Sequence, residues 1–163
     1  MKSKHILAVI ATTAAIVALP AMAQDVSYRT DIAPLIKKQC SECHGSNAPT
    51  YNEFKLTKEI QDKYIKEKVG PRNDTYELLV AMIGYPDTGS FMRRLDDGTH
   101  PISAGKPGNM YKYLGDNDAE RASNLKIVKA WLGEGAWNLN RFQARGEVPA
   151  ITKEQLDKLK LKY

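Results

Sequence analysis

Cysteine is almost absent from this 163-residue chain, and the two present are Cys40 and Cys43. Two are too few for a four-cysteine zinc site, a disulfide-stapled scaffold or a four-cysteine iron–sulfur cluster. No run of lysines and arginines resembles a nucleic-acid patch, so nucleic acid is not expected as a partner. No stretch carries a convincing strand pattern, and there is no internal repeat or low-complexity segment. What is present is an ordinary globular balance, 42% hydrophobic and 26% charged. That balance argues against a disordered chain, and the length suits one domain.

The N-terminus predicts export. Lys2 and Lys4 form a positive start, Ile6 to Pro20 is a run of fifteen mostly apolar positions, and Ala21-Met22-Ala23 is an A-x-A cleavage signal. A membrane-spanning helix wants roughly 20 apolar residues. A cleaved signal peptide over 1–23 is therefore the expectation, with an uncleaved anchor as the minority reading. No cysteine follows the apolar run, which excludes a lipoprotein anchor. The mature chain then starts at Gln24, has 140 residues and no membrane span, and is expected in the periplasm. Its net charge falls from +5 to +3 as Lys2 and Lys4 leave, and only His44 and His100 remain as histidines. Export places the two cysteines in an oxidising compartment.

Cys40-Ser41-Glu42-Cys43-His44 is C-x-x-C-H, the attachment signature of c-type haem. The spacing has a physical reason. Residues i and i+3 lie on one face of a helical turn, so both sulfurs point at the two vinyl groups on one side of a porphyrin. His44 then follows beneath the iron, where its imidazole is the proximal ligand. A thioredoxin-like redox pair needs a βαβ context, and Ala33 to Gln39 reads instead as a short amphipathic helix with no strand before it. A disulfide at this spacing is strained, and a zinc site lacks ligands. One motif predicts one covalent haem c.

Thr30 or Asp31 is expected to cap a helix running to about Ser41, with Pro34 in its first turn and Ile32, Leu35 and Ile36 as its buried stripe. Residues 45–57 read as loop and Thr57 to Lys68 as a solvated helix, broken by Gly70-Pro71. Asp74 to Glu77 opens a helix through Ile83 that stops at Gly84-Tyr85-Pro86. A short helix covers Ser90 to Leu95, and residues 96–109 are rich in turns. Asp116 or Asn117 caps a helix through Gly133, with Leu125, Val128, Trp131 and Leu132 as its apolar face. Thr152 to Leu161 reads as a last basic amphipathic helix, with Thr152 and Gln155 as a capping box.

A helix entering C-x-x-C-H, then helices and loops, then a last core helix ending Ala130-Trp131-Leu132-Gly133-Glu134-Gly135-Ala136 resembles the class I cytochrome c family. Ser90-Phe91-Met92-Arg93-Arg94-Leu95 followed by a glycine-proline loop with a methionine strengthens the likeness to exported bacterial mono-haem members. The resemblance covers residues 28–137. It implies an all-α fold around one haem, in which the first and last core helices cross. It divides the chain into a signal at 1–23, a cytochrome c domain at 24–137 and a C-terminal helical extension at 138–163.

The family pattern supplies a methionine opposite the histidine, which raises the reduction potential relative to two histidines. Met110, in the glycine-proline loop 66 positions after His44, is the first choice; Met92 is the alternative. Met82 reads as core filler and His100 as a solvated loop residue. Arg93 and Arg94 are candidates for a haem propionate. Trp131 reads as core, Tyr111, Tyr113 and Trp137 as pocket lining, and Pro49 as a buttress for His44. Lys153, Lys158, Lys160 and Lys162 give the tail a positive face that would steer an acidic redox partner, although a solvated helix face is the simpler reading.

The expected function is electron transfer, not enzymatic catalysis: a periplasmic carrier cycling Fe(III)/Fe(II) between redox partner proteins. The alternative is a haem subunit of a larger periplasmic oxidoreductase, with residues 46–73 and 138–163 as docking surfaces. An open distal site for catalysis or sensing is the third reading, and the available methionines argue against it.

Overall fold

The computed structural model describes residues 25–84, 89–100, 103, 105–133, 135–139 and 151–163, with the backbone alone at Asn138 and Leu139. The expected signal segment 1–23, the helix stop at Tyr85-Pro86 and residues 140–150 of the extension lie outside them. All regular structure among the described residues is helical. The likeness to an all-α cytochrome fold therefore holds at the level of the elements.

The chain enters through one wide helical turn, Tyr28–Ile32, which continues into α1, Ala33–Gln39. The cap is Ser27, not Thr30 or Asp31. Its hydroxyl accepts from the Thr30 amide, while Asp31 Oδ2 accepts from the Ser27 amide at 2.9 Å. The two side chains satisfy orphan donors reciprocally, so the helix starts three residues earlier than the sequence pattern suggests. Pro34 sits in the first turn of α1, where its missing N–H costs nothing.

A one-turn α2 follows, Ser41–His44, and then α3, Tyr51–Phe54, inside the expected loop. The reason for α3 is a complete capping box between Thr50 and Glu53 that the loop composition concealed. Helix α4, Lys58–Lys66, is capped by Thr57 and buries none of its residues, as a solvated helix should. Helix α5, Tyr76–Ala81, starts after Thr75, whose hydroxyl accepts from Leu78; Asp74 lies outside it. Helix α6 is Ser90–Leu95 as expected. Helix α7, Asp118–Leu132, is capped by Asn117 and buries Leu125, Val128, Trp131 and Leu132.

The entering turn and α7 pack against each other in opposite directions. Tyr28, at the start of the entering turn, has its ring 6.2 Å from that of Trp131 near the end of α7. At the other end, Lys38 and Gln39 both donate to Glu120 in the first turn of α7. Ile32, Ile36, Leu79, Ile83, Met92, Leu95, Leu114, Val128, Trp131 and Leu132 form one sealed core between them. Trp131 is fully buried, as its sequence context indicated.

The final segment departs from the sequence reading. Helix α8 is only Lys153–Leu156; the Thr152–Gln155 capping box is present, but the helix does not reach Leu161. Residues 158–163 instead run back along the core. Lys160 and Leu161 donate their amides to the carbonyls of Leu132 and Trp131 at 2.8 and 3.1 Å. Those are end-of-helix acceptors that α7 cannot satisfy itself. The Lys162 carbonyl accepts twice, from the Tyr28 amide at 2.7 Å and from Trp131 Nε1 at 2.9 Å. Tyr76 donates its hydroxyl to the Leu161 carbonyl at 2.7 Å. The Tyr163 ring stacks on Tyr28 and meets Tyr76 edge-on, with the Arg29 guanidinium 4.3 Å above it.

The tail lysines are largely engaged within the chain. Lys153 pairs with Asp157, Lys158 with Glu154 and Lys162 with Asp25. A positive docking face on the tail is thereby diluted, and the solvated-face reading fits better.

Removing residues 158–163 breaks at least four backbone or side-chain hydrogen bonds to the core. At about 1 kcal/mol each, the loss should be at least about 4 kcal/mol. Chemical denaturation of the truncated protein measures it, and an unchanged midpoint would show that the segment is not structural.

Candidate functional site

The site begins with a helix break. Cys40 terminates α1 with φ −121° and ψ −22°, and the next turn restarts at Ser41. Ser41 bridges the break by donating its hydroxyl to the Lys37 carbonyl at 2.6 Å. The Cys40 carbonyl accepts from the amides of both Cys43 and His44, at 3.2 and 2.9 Å. These bonds wind Cys40, Cys43 and His44 into one tight turn. That is the arrangement the spacing implied, although the entering helix is not continuous through it.

Both thiols are free and half-buried, not joined as a disulfide. Burial pushes the Cys40 thiol up to about 11, with Cys43 adding to the rise. Reactive redox cysteines and thiolate metal ligands need the opposite shift. A neutral, buried sulfur suits a thioether bond to carbon, so the donor set fits covalent attachment of a porphyrin.

His44 is held by its Nδ1, which lies 2.7 Å from the Pro71 carbonyl oxygen. A carbonyl only accepts, so Nδ1 carries the proton and Nε2 keeps its lone pair. Burial is the main cause of a lowered His44 pKa; the Arg94 cation lowers it further and the Pro71 bond opposes both. The ring is thus neutral at pH 7, with one nitrogen committed and the other available. That is the state a metal-ligating imidazole requires.

The segment around Pro71 is laced to the motif. Gly70 donates to the Cys43 carbonyl at 2.9 Å, Asn73 to the His44 carbonyl at 3.1 Å and Arg72 to the Pro49 carbonyl at 2.7 Å. A Cβ on Gly70 would lie 2.0 Å from His44 Cε1. Pro49 therefore supports His44 only through Arg72; the direct buttress is Pro71, which the sequence shows merely as a helix breaker. Asn73 Oδ1 is buried without a hydrogen-bond partner among the described residues. An orphaned acceptor beside the motif fits a site completed by a further group. On the flank of the motif lies a cleft of about 570 Å³, bordered by Ala33, Ile36, Ser41, Cys43, Ala48 and Val69.

The three candidate methionines separate by environment. Met82 is buried, and its sulfur accepts from the Ser90 hydroxyl at 3.7 Å. Met92 is 0% exposed inside the core, so it borders no water-sized space. Met110 is half-buried at the edge of the core, just before a helical turn at Tyr111–Tyr113. Its amide donates to the Arg94 carbonyl at 3.0 Å, and the Arg94 side chain donates to Asn109 at 2.9 Å. Arg94 is also the cation that depresses His44. The Met110 segment and His44 therefore share a neighbour, whereas Met82 is engaged elsewhere.

The Met110 loop is fixed by backbone. Gly108 donates to the Asp96 carbonyl at 2.7 Å, and a Cβ on Gly108 would lie 2.2 Å from the Arg94 carbonyl oxygen. Only glycine permits this approach of residues 108–110 to residues 94–96. The expected arginine pair diverges: Arg93 is buried and Arg94 is exposed. Trp137 donates its indole N–H to Asp96, while Tyr113 is largely exposed with Lys112 over its ring. His100 lies in a turn, its carbonyl accepting from the amide and hydroxyl of Ser103.

Known proteins resemble this arrangement. The family described as PccH Cytochrome c matches residues 27–163. Among solved structures, the monohaem cytochrome PccH from Geobacter sulfurreducens is 42% identical, with a TM-score of 0.70, over 85% of this chain and 98% of that one. No curated protein matches the chain.

Gly70→Ala should force the His44 ring off its seat, at a cost of about 1–3 kcal/mol for the overpacked contact. A denaturation midpoint equal to that of the unaltered protein would show that the Gly70 contact does not hold the imidazole.

Proposed function

The chain belongs to the PccH cytochrome c family, and we propose that it works as an exported one-electron shuttle in the periplasm. Membership brings one covalently bound haem c and the role of an electron carrier, not an enzyme. When bound, the haem supplies a one-electron Fe(III)/Fe(II) couple.

The residues divide the work. Cys40 and Cys43 are the thioether attachment points. His44 is the proximal ligand through Nε2, with its tautomer set by the Pro71 carbonyl. Met110 is the distal ligand, carried by the loop clamped at Gly108; Met92 is the alternative. The observation that carries the reading is the His44 imidazole, neutral and bonded at Nδ1 to the Pro71 carbonyl, within a C-x-x-C-H turn whose first thiol, Cys40, is pushed up by burial. No residue needs to move a proton during turnover, so the chain's task is to keep ligand geometry constant between oxidation states.

The free-shuttle reading is favoured over a subunit of a larger oxidoreductase because the last six residues are used internally. They cap α7 and fill an aromatic cluster, leaving less of the extension for a partner. Redox partner proteins remain the expected interactors. The N-terminal pattern at Lys2, Lys4, Ile6–Pro20 and Ala21-Met22-Ala23 supports export. No helix among the described residues is long and apolar enough to cross a membrane.

Two measurements test the assignment. Met110→Ala should abolish the far-red band that reports methionine sulfur on ferric haem and should lower the reduction potential. Met92→Ala should keep the band; the reverse result would transfer the ligand role to Met92. N-terminal sequencing of the exported protein should begin at Gln24, and an intact Met1 in a membrane fraction would contradict the shuttle.

A further inference from the structure

Asp96 is completely buried, yet it belongs to neither the C-x-x-C-H turn nor the methionine position. Its two carboxyl oxygens have distinct partners. Oδ2 accepts from the Gly98 amide at 2.9 Å, within its own turn. Oδ1 accepts from Trp137 Nε1 at 3.2 Å, 41 residues further on. Its backbone carbonyl accepts from Gly108 at 2.7 Å. Gly98 is in the left-handed region at φ 83°, and its carbonyl accepts from Gly105 at 3.0 Å. One residue therefore ties together the end of α6, the turn at 96–98, the loop that carries Met110 and the segment after α7.

We propose that Asp96 is a positioning residue for the distal ligand: its carboxyl group, held by Trp137, sets how readily the Met110 loop opens. The inference rests on Met110 as the ligand. A buried carboxyl group needs its hydrogen bonds, because an unsatisfied polar group in the core is costly. Opening the loop at Gly108 loosens the turn that Asp96 organises, so the Trp137 bond is strained whenever Met110 departs. Lys129 reinforces the same corner, with its ammonium 5.0 Å from the Trp137 ring and 3.7 Å from Asp97. The loop is thus held from the C-terminal side of α7 as well as by the Met110 amide on the Arg94 carbonyl.

The test uses the haem-loaded full chain in its ferric form, with imidazole as the probe. Imidazole competes for the iron only when Met110 leaves, so its affinity reads loop opening. Asp96→Asn and Trp137→Phe should each raise that affinity roughly tenfold, the effect of losing one buried hydrogen bond. Each should retain the far-red methionine band before imidazole is added. Tyr76→Phe, which removes the hydroxyl bond to the Leu161 carbonyl and leaves the Asp96–Trp137 bond in place, should leave imidazole affinity within about twofold of the unaltered protein. Unchanged affinity in Trp137→Phe overturns the proposal even if Asp96→Asn does not fold. An equal rise in Tyr76→Phe also overturns it, because the effect would then be general destabilisation. A missing methionine band in the unaltered protein refutes the Met110 assignment instead, and this inference with it.

Discussion

The hydrogen bond from His44 Nδ1 to the Pro71 carbonyl is the constraint on which the site depends. It fixes the tautomer, leaves the Nε2 lone pair available and sets the plane of the ring. Everything beside it serves that geometry. Gly70 lies against the imidazole because no side chain fits there, and the amides of Gly70 and Asn73 bond the carbonyls of Cys43 and His44. Arg72 reaches back to Pro49 and pairs with Asp74 at 2.6 Å, which closes the segment on itself. The segment beside His44 is a strap held by backbone hydrogen bonds. Rigidity of this kind suits electron transfer, where the iron ligands should not rearrange between oxidation states.

The loop that carries Met110 is built on another economy of side chains. Residues 108–110 approach residues 94–96 so closely that Gly108 is obligatory. Arg94 presents its carbonyl to Met110, its guanidinium to Asn109 and its charge toward His44. The helix that delivers this edge, α6, has the boundaries the sequence predicts at both ends. Its amphipathic pattern is short, but turn residues bracket it on either side.

What was legible in the sequence follows a physical rule. Motifs written in side chains were readable: C-x-x-C-H, the Asn117 cap of α7, the Thr152–Gln155 box and the apolar face ending in Trp131. Interactions written in backbone carbonyls were not. Every residue carries a carbonyl, so nothing in the sequence marks Pro71 as the partner of a histidine 27 positions away. The same holds for the Lys162 carbonyl, which accepts from both Tyr28 and Trp131. The C-terminal segment reads as an amphipathic helix from its Thr152–Gln155 capping box, although Lys158 to Lys162 alternates lysine and leucine with a period of two. It leaves the helix after Leu156 because α7 offers unpaired carbonyls and Tyr28, Tyr76 and Trp131 offer an aromatic seat. Tertiary hydrogen bonds and burial outweighed local propensity.

On the proposed assignment, one imidazole faces one methionine sulfur across a single haem. Proton NMR of the reduced protein, with methyl-labelled methionine, tests it most directly. The ring current of the haem shifts the methyl group of a coordinated methionine far upfield. One such resonance, assigned to Met110, is expected, with the methyls of Met82 and Met92 left among the core resonances. An upfield methyl assigned to Met92, or the absence of any, would contradict it.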